Sequence, residues 1–418
     1  MIYTVTAPAL IDASVALPAS KSISNRALTI CALACRDRLP GALREAFPAN
    51  LSDCDDTEVV VRALTDRPEV IDIRAAGTAM RFMTAYLSVT PGTHVITGTE
   101  RMRRRPIGVL VGALRRLGAK IDYTGDEGFP PLRITGGAME GGELDIEGTI
   151  SSQYISALML IGPMMRRGLT LQLTGGIISR PYIDLTMHVM HDFGAHVEWI
   201  DFDTIRVEPV PYTMRSYTIE NDWSAASYWY EIMALCGGRD SSVWLAGLYD
   251  GSRQGDSSIR YIFSMLGVKT TFDDRGVTLT KIPVRLKKLE YDFKNQPDMA
   301  QTFVVCCAAL GIPFRFTGLQ TLRIKETDRI AALQREMGKL GYVIGQGDGS
   351  ELTWDGTRQA ADDNPVIDTY DDHRMAMAFA PLALRLPTIS INDPGVVTKS
   401  YPGFWKDLVA AGFAIEHE

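Results

Sequence analysis

The sequence predicts an α/β protein of six repeats, grouped as two domains of three. Two interleaved periodic series and the make-up of their helices carry that prediction. In the first series an amphipathic helix ends at a glycine and a β-like stretch follows. Its members are RPIGVLVGALRRLGAKIDY, PYIDLTMHVMHDFGAHVEWI, SSIRYIFSMLGVKTTF, DRIAALQREMGKLGYVI and FWKDLVAAGFAIE, stopping at Gly118, Gly194, Gly267, Gly341 and Gly412. The spacings are 76, 73, 74 and 71 residues. Glycine past the last helical turn supplies the left-handed residue that ends a helix, and five such stops at a near-constant interval mark an internal repeat.

The second series is a polar or glycine-containing start followed by a small-residue apolar helix. Its members are SKSISNRALTICALA, AGTAMRFMTAYLSV, SSQYISALMLIGP, DWSAASYWYEIMAL, PDMAQTFVVCCAALG and DDHRMAMAFAPLAL. They begin near residues 20, 77, 151, 222, 298 and 372, at spacings of 57, 74, 71, 76 and 74. The first repeat is therefore shortened, with DCDDTEVVVRAL as its second helix. Strands such as ELDIEGT, TLQLTGG, SVWLAGL, PFRFTGL and TISINDP lie between the helices, and each repeat is expected to carry them.

A helix that is apolar nearly all round is a buried one. Each domain should therefore pack these inner helices in the middle, with sheets outside and the helix starts converging on one surface. Ser, Asp, Thr and Gly at those starts are good caps. Every start offers free N–H groups and about half a positive charge, so convergent starts make an anion site.

Composition narrows the function classes. The chain has 418 residues, 46% hydrophobic and 22% charged, an ordinary globular make-up with room for a large core. The longest near-uncharged apolar run, about residues 155–165, falls short of the roughly 20 residues needed to span a bilayer. The opening residues lack a signal-peptide pattern. The six cysteines, at 31, 35, 54, 236, 306 and 307, form no C-x-x-C pair or zinc-finger spacing; they read as buried, reduced thiols of a cytoplasmic protein. A net charge of −7, from 43 Lys and Arg against 50 Asp and Glu, argues against a general nucleic-acid binder but permits a local basic pocket.

Cations cluster where helix dipoles should repel them. Lys21, beside Ser20 and Ser22, and Arg26 open the first inner helix. Arg101, Arg103, Arg104 and Arg105 precede a helix with Pro106 expected in its first turn. Lys325, Glu326, Thr327, Asp328 and Arg329 open another, Asp372, His373 and Arg374 open the sixth inner helix, and Lys399 precedes the last helix. Such placement makes sense if these side chains face bound anions. There is no P-loop, and Gly345 to Gly349 reads as a turn. His188, His191 and His196 lack a supporting carboxylate set for a metal.

At this point the sequence resembles the 3-phosphoshikimate 1-carboxyvinyltransferase family of enolpyruvyl transferases. LPASKSISNRAL, AGTAMRF, RMRRRPI, SSQY, SRPYID, IKETDRI, YDDHRMAMAF and VVTKSYPGF occur in family order along essentially the whole chain. The resemblance implies a two-domain inside-out α/β barrel of six βαβαββ repeats, three per domain, closing over a central cleft. It implies domains of 20–220 and of 1–19 with 221–418. It also implies that the enolpyruvyl group of phosphoenolpyruvate passes to the 5-hydroxyl of shikimate 3-phosphate, with addition, then loss of phosphate by C–O cleavage.

Carried over by position, Lys21, Ser22, Arg26, Ser151, Ser152, Gln153, Ser179, Tyr182 and Lys325 would hold shikimate 3-phosphate. Lys21, Gly77, Arg105, Gln153, Arg329, Arg374 and Lys399 would hold phosphoenolpyruvate. Asp298 would accept the hydroxyl proton and Glu326 would donate to the methylene carbon, with Lys21 as the third catalytic residue. No cofactor or metal is implied, and the expected partners are the two substrates of a monomer, with no nucleic acid or membrane. Ala75, Phe82 and Thr321 depart from the family's common Asn, Pro and Asn, which bears on affinity and on glyphosate sensitivity.

Three other readings stand beside this one. The sister enzyme acting on UDP-N-acetylglucosamine shares the fold but uses a reactive loop cysteine. A phosphotransferase would cleave P–O rather than C–O. A non-catalytic RNA binder using Arg101 to Arg105 would need a broad basic surface with aromatic stacking groups.

Overall fold

The five glycine stops take positive φ values, from 82° at Gly194 to 105° at Gly118. Each follows an outer helix, and these run Gly108–Arg116, Arg180–Asp192, Ile259–Met265, Arg329–Lys339 and Phe404–Ala410. The computed structural model describes residues 1–36, 43–238 and 240–417. Its inner helices are Lys21–Ala34, Gly77–Val89, Ser152–Ile161, Trp223–Leu235, Ala300–Ala309 and His373–Phe379. They are buried on every side, as their apolar circumference requires; in Trp223–Leu235 only Ser224 is not fully buried.

The chain forms two compact units, Ala19–Ile219 and Met1–Pro18 with Glu220–Glu418. Each has its own hydrophobic core. In the first unit one sheet has strand order Val70–Asp72, Gly92–Thr97, Leu132–Gly136, Lys120–Tyr123, and another Gly142–Glu147, Leu169–Thr174, Thr204–Val207, Val197–Asp201. In both, the first two strands are parallel and the rest antiparallel. Parallel neighbours need a crossover, and the inner helix supplies it. Strand Gly142–Glu147 alternates buried and exposed residues, so one face covers the helices and the other meets water.

The second unit has three sheets, and two of them borrow strands from the chain's beginning. Asp12–Val15 pairs parallel with Ser242–Ala246. Ile2–Thr6 lies antiparallel between Ile389–Asn392 and Ala414–His417. The third sheet runs Leu289–Asp292, Phe314–Thr317, Leu352–Trp354.

The first repeat is the sparest. Among the described residues from Lys21 to Ala76 it has the helices Lys21–Ala34 and Asp55–Asp66, the 3-10 turn Arg44–Ala46 and one short strand, Val70–Asp72, which pairs with Gly92–Thr97 of the next repeat. Its shortened spacing leaves too little chain for a sheet of its own. Two helix starts also move. Pro106 lies outside the helix beginning at Gly108, and Arg101 and Arg103 sit instead in a one-turn helix, Glu100–Arg103, capped by Thr99. Asp298 belongs to a 3-10 turn, Pro297–Met299, ahead of the inner helix.

Candidate active site

In the Ala19–Ile219 unit the site is built from helix starts. Ser20 caps the first inner helix by accepting from Ile23 N at 3.4 Å. Lys21 follows and pairs with Asp56, Nζ to Oδ2 3.1 Å. Arg26 lies one turn further in and is only 3% exposed. It donates Nε to Thr186 Oγ1 at 2.7 Å and Nη1 to the Ser22 carbonyl at 2.8 Å. Its Nη2 donates to Ser156 Oγ at 3.3 Å and to the Tyr182 carbonyl at 3.1 Å. The Phe82 ring faces the guanidinium, 5.4 Å from its centroid.

All four of those acceptors are neutral. Burial lowers the Arg26 pKa to about 10, with Tyr182 opposing, so the cation persists at neutral pH. A buried cation held by neutral acceptors is costly unless an anion completes it.

Gly77 begins the second inner helix with no side-chain cap. A Cβ there would stand 2.7 Å from Arg105 Nη1, so the guanidinium lies against bare backbone that only glycine provides. Arg105 Nε is buried with no hydrogen-bond partner. Arg81, also buried, donates to the carbonyls of Gly77 at 3.0 Å and Pro106 at 3.2 Å, and the Tyr154 hydroxyl donates to Pro106 at 2.6 Å. Gln153 Nε2 donates to Thr78 Oγ1 at 3.1 Å. Ser151 caps the next inner helix through Gln153 N at 3.3 Å, and Ser152 is its first residue. Ser179 precedes the helix Arg180–Asp192 in the left-handed region, φ 57°, and Tyr182 sits in that helix's first turn. The structure thus links the starts at Gly77 and Ser152 to the Arg105 loop, and the start at Lys21 to Tyr182.

The second unit gathers the remaining charged residues around one guanidinium. Arg329, 2% exposed at its side chain, donates Nη1 to Asp298 at 2.7 Å and Nη2 to Glu326 at 2.9 Å. Its Nε meets Asp372 Oδ2 at 2.6 Å. Asp372 is fully buried and also caps the sixth inner helix by accepting from Arg374 N at 2.9 Å. Lys325 Nζ lies 3.3 Å from Asp298, and Lys399 Nζ 3.2 Å from Glu326. Arg374 Nη1 reaches the Tyr228 hydroxyl at 3.4 Å.

Burial pushes the Asp298 carboxyl up, but Lys325, Arg329 and Arg374 outweigh it and hold the pKa well below the usual carboxylate range. Burial likewise pushes Arg329 down, and Asp372, Glu326 and Asp298 more than reverse it. The cluster has four cations against three carboxylates, which suits it to draw in anions.

Three participants were missed. Asp56, Arg81 and Asp372 sit inside motifs quoted from the sequence, yet their partners lie 35, 25 and 43 residues away. Asp372 was visible as part of a helix start, but its grip on Arg329 was not. Of the four clustered arginines only Arg105 is turned to the Gly77 start. Arg104 pairs with Glu100 on the surface, Arg103 donates to Thr97 and the Gly98 carbonyl, and Arg101 is exposed. His191 contacts the Val197 carbonyl and His196 pairs with Glu208. Among the described residues no three His, Cys, Asp or Glu side chains gather as a metal-ligand set, and no helix is long and apolar enough to cross a membrane.

The chain matches the family model described as EPSP synthase (3-phosphoshikimate 1-carboxyvinyltransferase) over residues 41–408. A 3-phosphoshikimate 1-carboxyvinyltransferase of Bacteroides fragilis (strain ATCC 25285) is 56% identical over 416 residues, covering 100% of this chain and 99% of the relative. One of Sulfurovum sp. (strain NBC37-1) is 35% identical, covering 95% and 96%. Among solved structures, an EPSP synthase from Acinetobacter baumannii superimposes with a TM-score of 0.75 at 20% identity, covering 100% of each chain. The enolpyruvyl transferase NikO from Streptomyces tendae gives 0.73 at 16% identity, covering 100% of this chain and 98% of that one. The two structures establish the fold expected from the repeats, and the sequence matches establish more: this chain belongs to the EPSP synthase, or 3-phosphoshikimate 1-carboxyvinyltransferase, family.

Proposed function

We propose that the residues described above carry out this family's reaction, passing the enolpyruvyl group of phosphoenolpyruvate to the 5-hydroxyl of shikimate 3-phosphate. The observation that carries the reading is the pair Asp298 and Glu326 held on one buried guanidinium, with Lys325 sharing the same Asp298 oxygen and Lys399 on the other Glu326 oxygen. One carboxylate for each proton transfer is what addition followed by elimination needs.

In this reading the units Ala19–Ile219 and Met1–Pro18 with Glu220–Glu418 are the two domains, and both contribute to the same reaction. Shikimate 3-phosphate takes Lys21, Ser22, Arg26, Ser151, Ser152, Gln153, Ser179, Tyr182 and Lys325. Phosphoenolpyruvate takes Lys21, Gly77, Arg105, Gln153, Arg329, Arg374 and Lys399. Asp298 accepts the hydroxyl proton as the oxygen bonds to C2, and Glu326 gives a proton to the methylene carbon. Glu326, now a carboxylate, then takes a proton back from the new methyl group as the C–O bond breaks, which restores the double bond and releases phosphate.

Free Asp298 is a poor base, because three cations stabilise its ionised form. Anionic substrates neutralise those cations and raise its basicity. The same compensation at Arg329 and Lys399 lets Glu326 hold a proton once both substrates are bound. Charge is met by side chains and helix starts, so activity should survive exhaustive EDTA treatment.

The sister reaction on UDP-N-acetylglucosamine is disfavoured. All six cysteines are buried and unbridged, and burial raises the Cys31, Cys54, Cys306 and Cys307 thiols, away from the thiolate a reactive cysteine needs. Reduced thiols suit a cytoplasmic protein, and the reading takes it as a monomer. The test is phosphate release with both substrates, each omitted in turn. Release that ignores shikimate 3-phosphate but responds to UDP-N-acetylglucosamine would overturn the assignment.

A further inference from the structure

The helix Arg180–Asp192 begins under two handicaps. Ser179 before it is a non-glycine residue at φ 57° and ψ 36°, and no side chain caps the helix start. A left-handed non-glycine residue persists only where its surroundings over-determine it. Here the surroundings are the hairpin of strands Val197–Asp201 and Thr204–Val207. The Arg180 guanidinium stacks on the Trp199 ring at 3.9 Å from its centroid and faces the Phe202 ring at 5.7 Å. Its Nη1 donates to the Phe202 carbonyl at 3.0 Å. Trp199 returns the contact one turn along the same helix, its Nε1 donating to Asp184 Oδ1 at 2.9 Å. A register shift between Thr204 and Ile205 marks a bulge beside the tip, which adds local twist where a strand re-aims its side chains. On the other side Ile178 N is tied to the Gly148 carbonyl at 3.2 Å.

The first turn so gripped is the one that carries Ser179 and Tyr182. The Tyr182 carbonyl also accepts from Arg26 Nη2 at 3.1 Å and from Thr186 Oγ1 at 2.8 Å. Thr186 Oγ1 in turn accepts from Arg26 Nε. A shift of this turn would therefore move a serine hydroxyl, a tyrosine and the buried Arg26 together.

We propose that Arg180, locked by Trp199 and the Phe202 carbonyl, is a positioning residue for shikimate 3-phosphate, setting Ser179, Tyr182 and Arg26 through the helix start. The proposal rests on the substrate assignment above. Arg180 touches neither reacting carboxylate, so its effect falls on the affinity for one substrate and not on the chemical step.

Steady-state kinetics of the full chain, each substrate varied in turn, test this. Arg180→Ala should raise KM for shikimate 3-phosphate about tenfold, the scale of a lost cation–π contact together with a hydrogen bond. The kcat and the KM for phosphoenolpyruvate should stay within about twofold. Trp199→Leu should reproduce the effect, Trp199→Phe should recover part of it, and Arg180→Ala with Trp199→Leu should be no worse than either alone. A fall in Tm with KM unchanged, a loss confined to kcat, or additive losses in the double variant would each overturn the assignment. No turnover in the unmodified chain would overturn the proposed reaction itself, a failure plainly different from normal turnover that Arg180→Ala leaves untouched.

Discussion

Asp298 and Glu326 share a buried arginine, and each keeps a second cation at about 3 Å. Asp298→Asn and Glu326→Gln preserve shape but remove the base and the acid, so each should lower kcat by roughly 10²–10⁴. Calorimetric affinity for shikimate 3-phosphate should weaken far less, because binding contacts remain. Near-normal kcat in Glu326→Gln would move the acid role to Lys21 or Lys399. Gly77→Ala tests the neighbouring half of the chemistry. The new methyl group would displace the Arg105 guanidinium, 2.7 Å from that point, and a flexible side chain can yield. Folding should survive while KM for phosphoenolpyruvate rises roughly tenfold or more; an unchanged KM would show that Arg105 does not hold that substrate. The cations at helix starts were legible because they contradict the dipole. Asp56, Arg81 and Asp372 were not, since the choice of partner is made by tertiary packing that no local pattern records.

Among the helices, Trp223–Leu235 carries an anomaly. Glu231 is fully buried, and neither carboxylate oxygen has a hydrogen-bond partner. Burial raises its pKa well above the ordinary value. The folded state therefore binds this proton more tightly than the unfolded chain. Its contribution to stability is greatest below the ordinary glutamate pKa and falls as pH rises from there toward the raised folded value. Glu231→Met should raise the Tm near neutral pH and flatten the decline between about pH 5 and pH 8. Parallel curves for the two proteins in thermal melts across that range would refute the account. All-round apolar composition told that this helix is buried, and regular glycine stops told where the outer helices end. Neither disclosed the sheet order. The pairing of Asp12–Val15 with Ser242–Ala246 spans 230 residues, and the sheetless first repeat left only a shortened spacing as its trace.

For the whole molecule, the proposed ligands of shikimate 3-phosphate come from both compact units, Lys325 from one and the rest from the other. A ligand that contacts both favours arrangements in which they are drawn together. Small-angle scattering should show a smaller radius of gyration at saturating shikimate 3-phosphate, and an unchanged radius would refute ligand-driven closure. The borrowed strands carry a different consequence, one of timing. Ile2–Thr6 leaves the ribosome long before either of its sheet neighbours, Ile389–Asn392 and Ala414–His417. It must wait until they are made, while Ala19–Ile219 is already complete and free to fold. Tyr3 lies opposite His417, so these two segments are neighbours in one sheet. A circular permutant that joins them by a short linker and opens between Pro18 and Ala19 would make each unit a single uninterrupted stretch. It should reach the native state and abolish the wait, refolding no slower than the parent when followed by tryptophan fluorescence; slower refolding would show that the early strand assists assembly rather than delaying it.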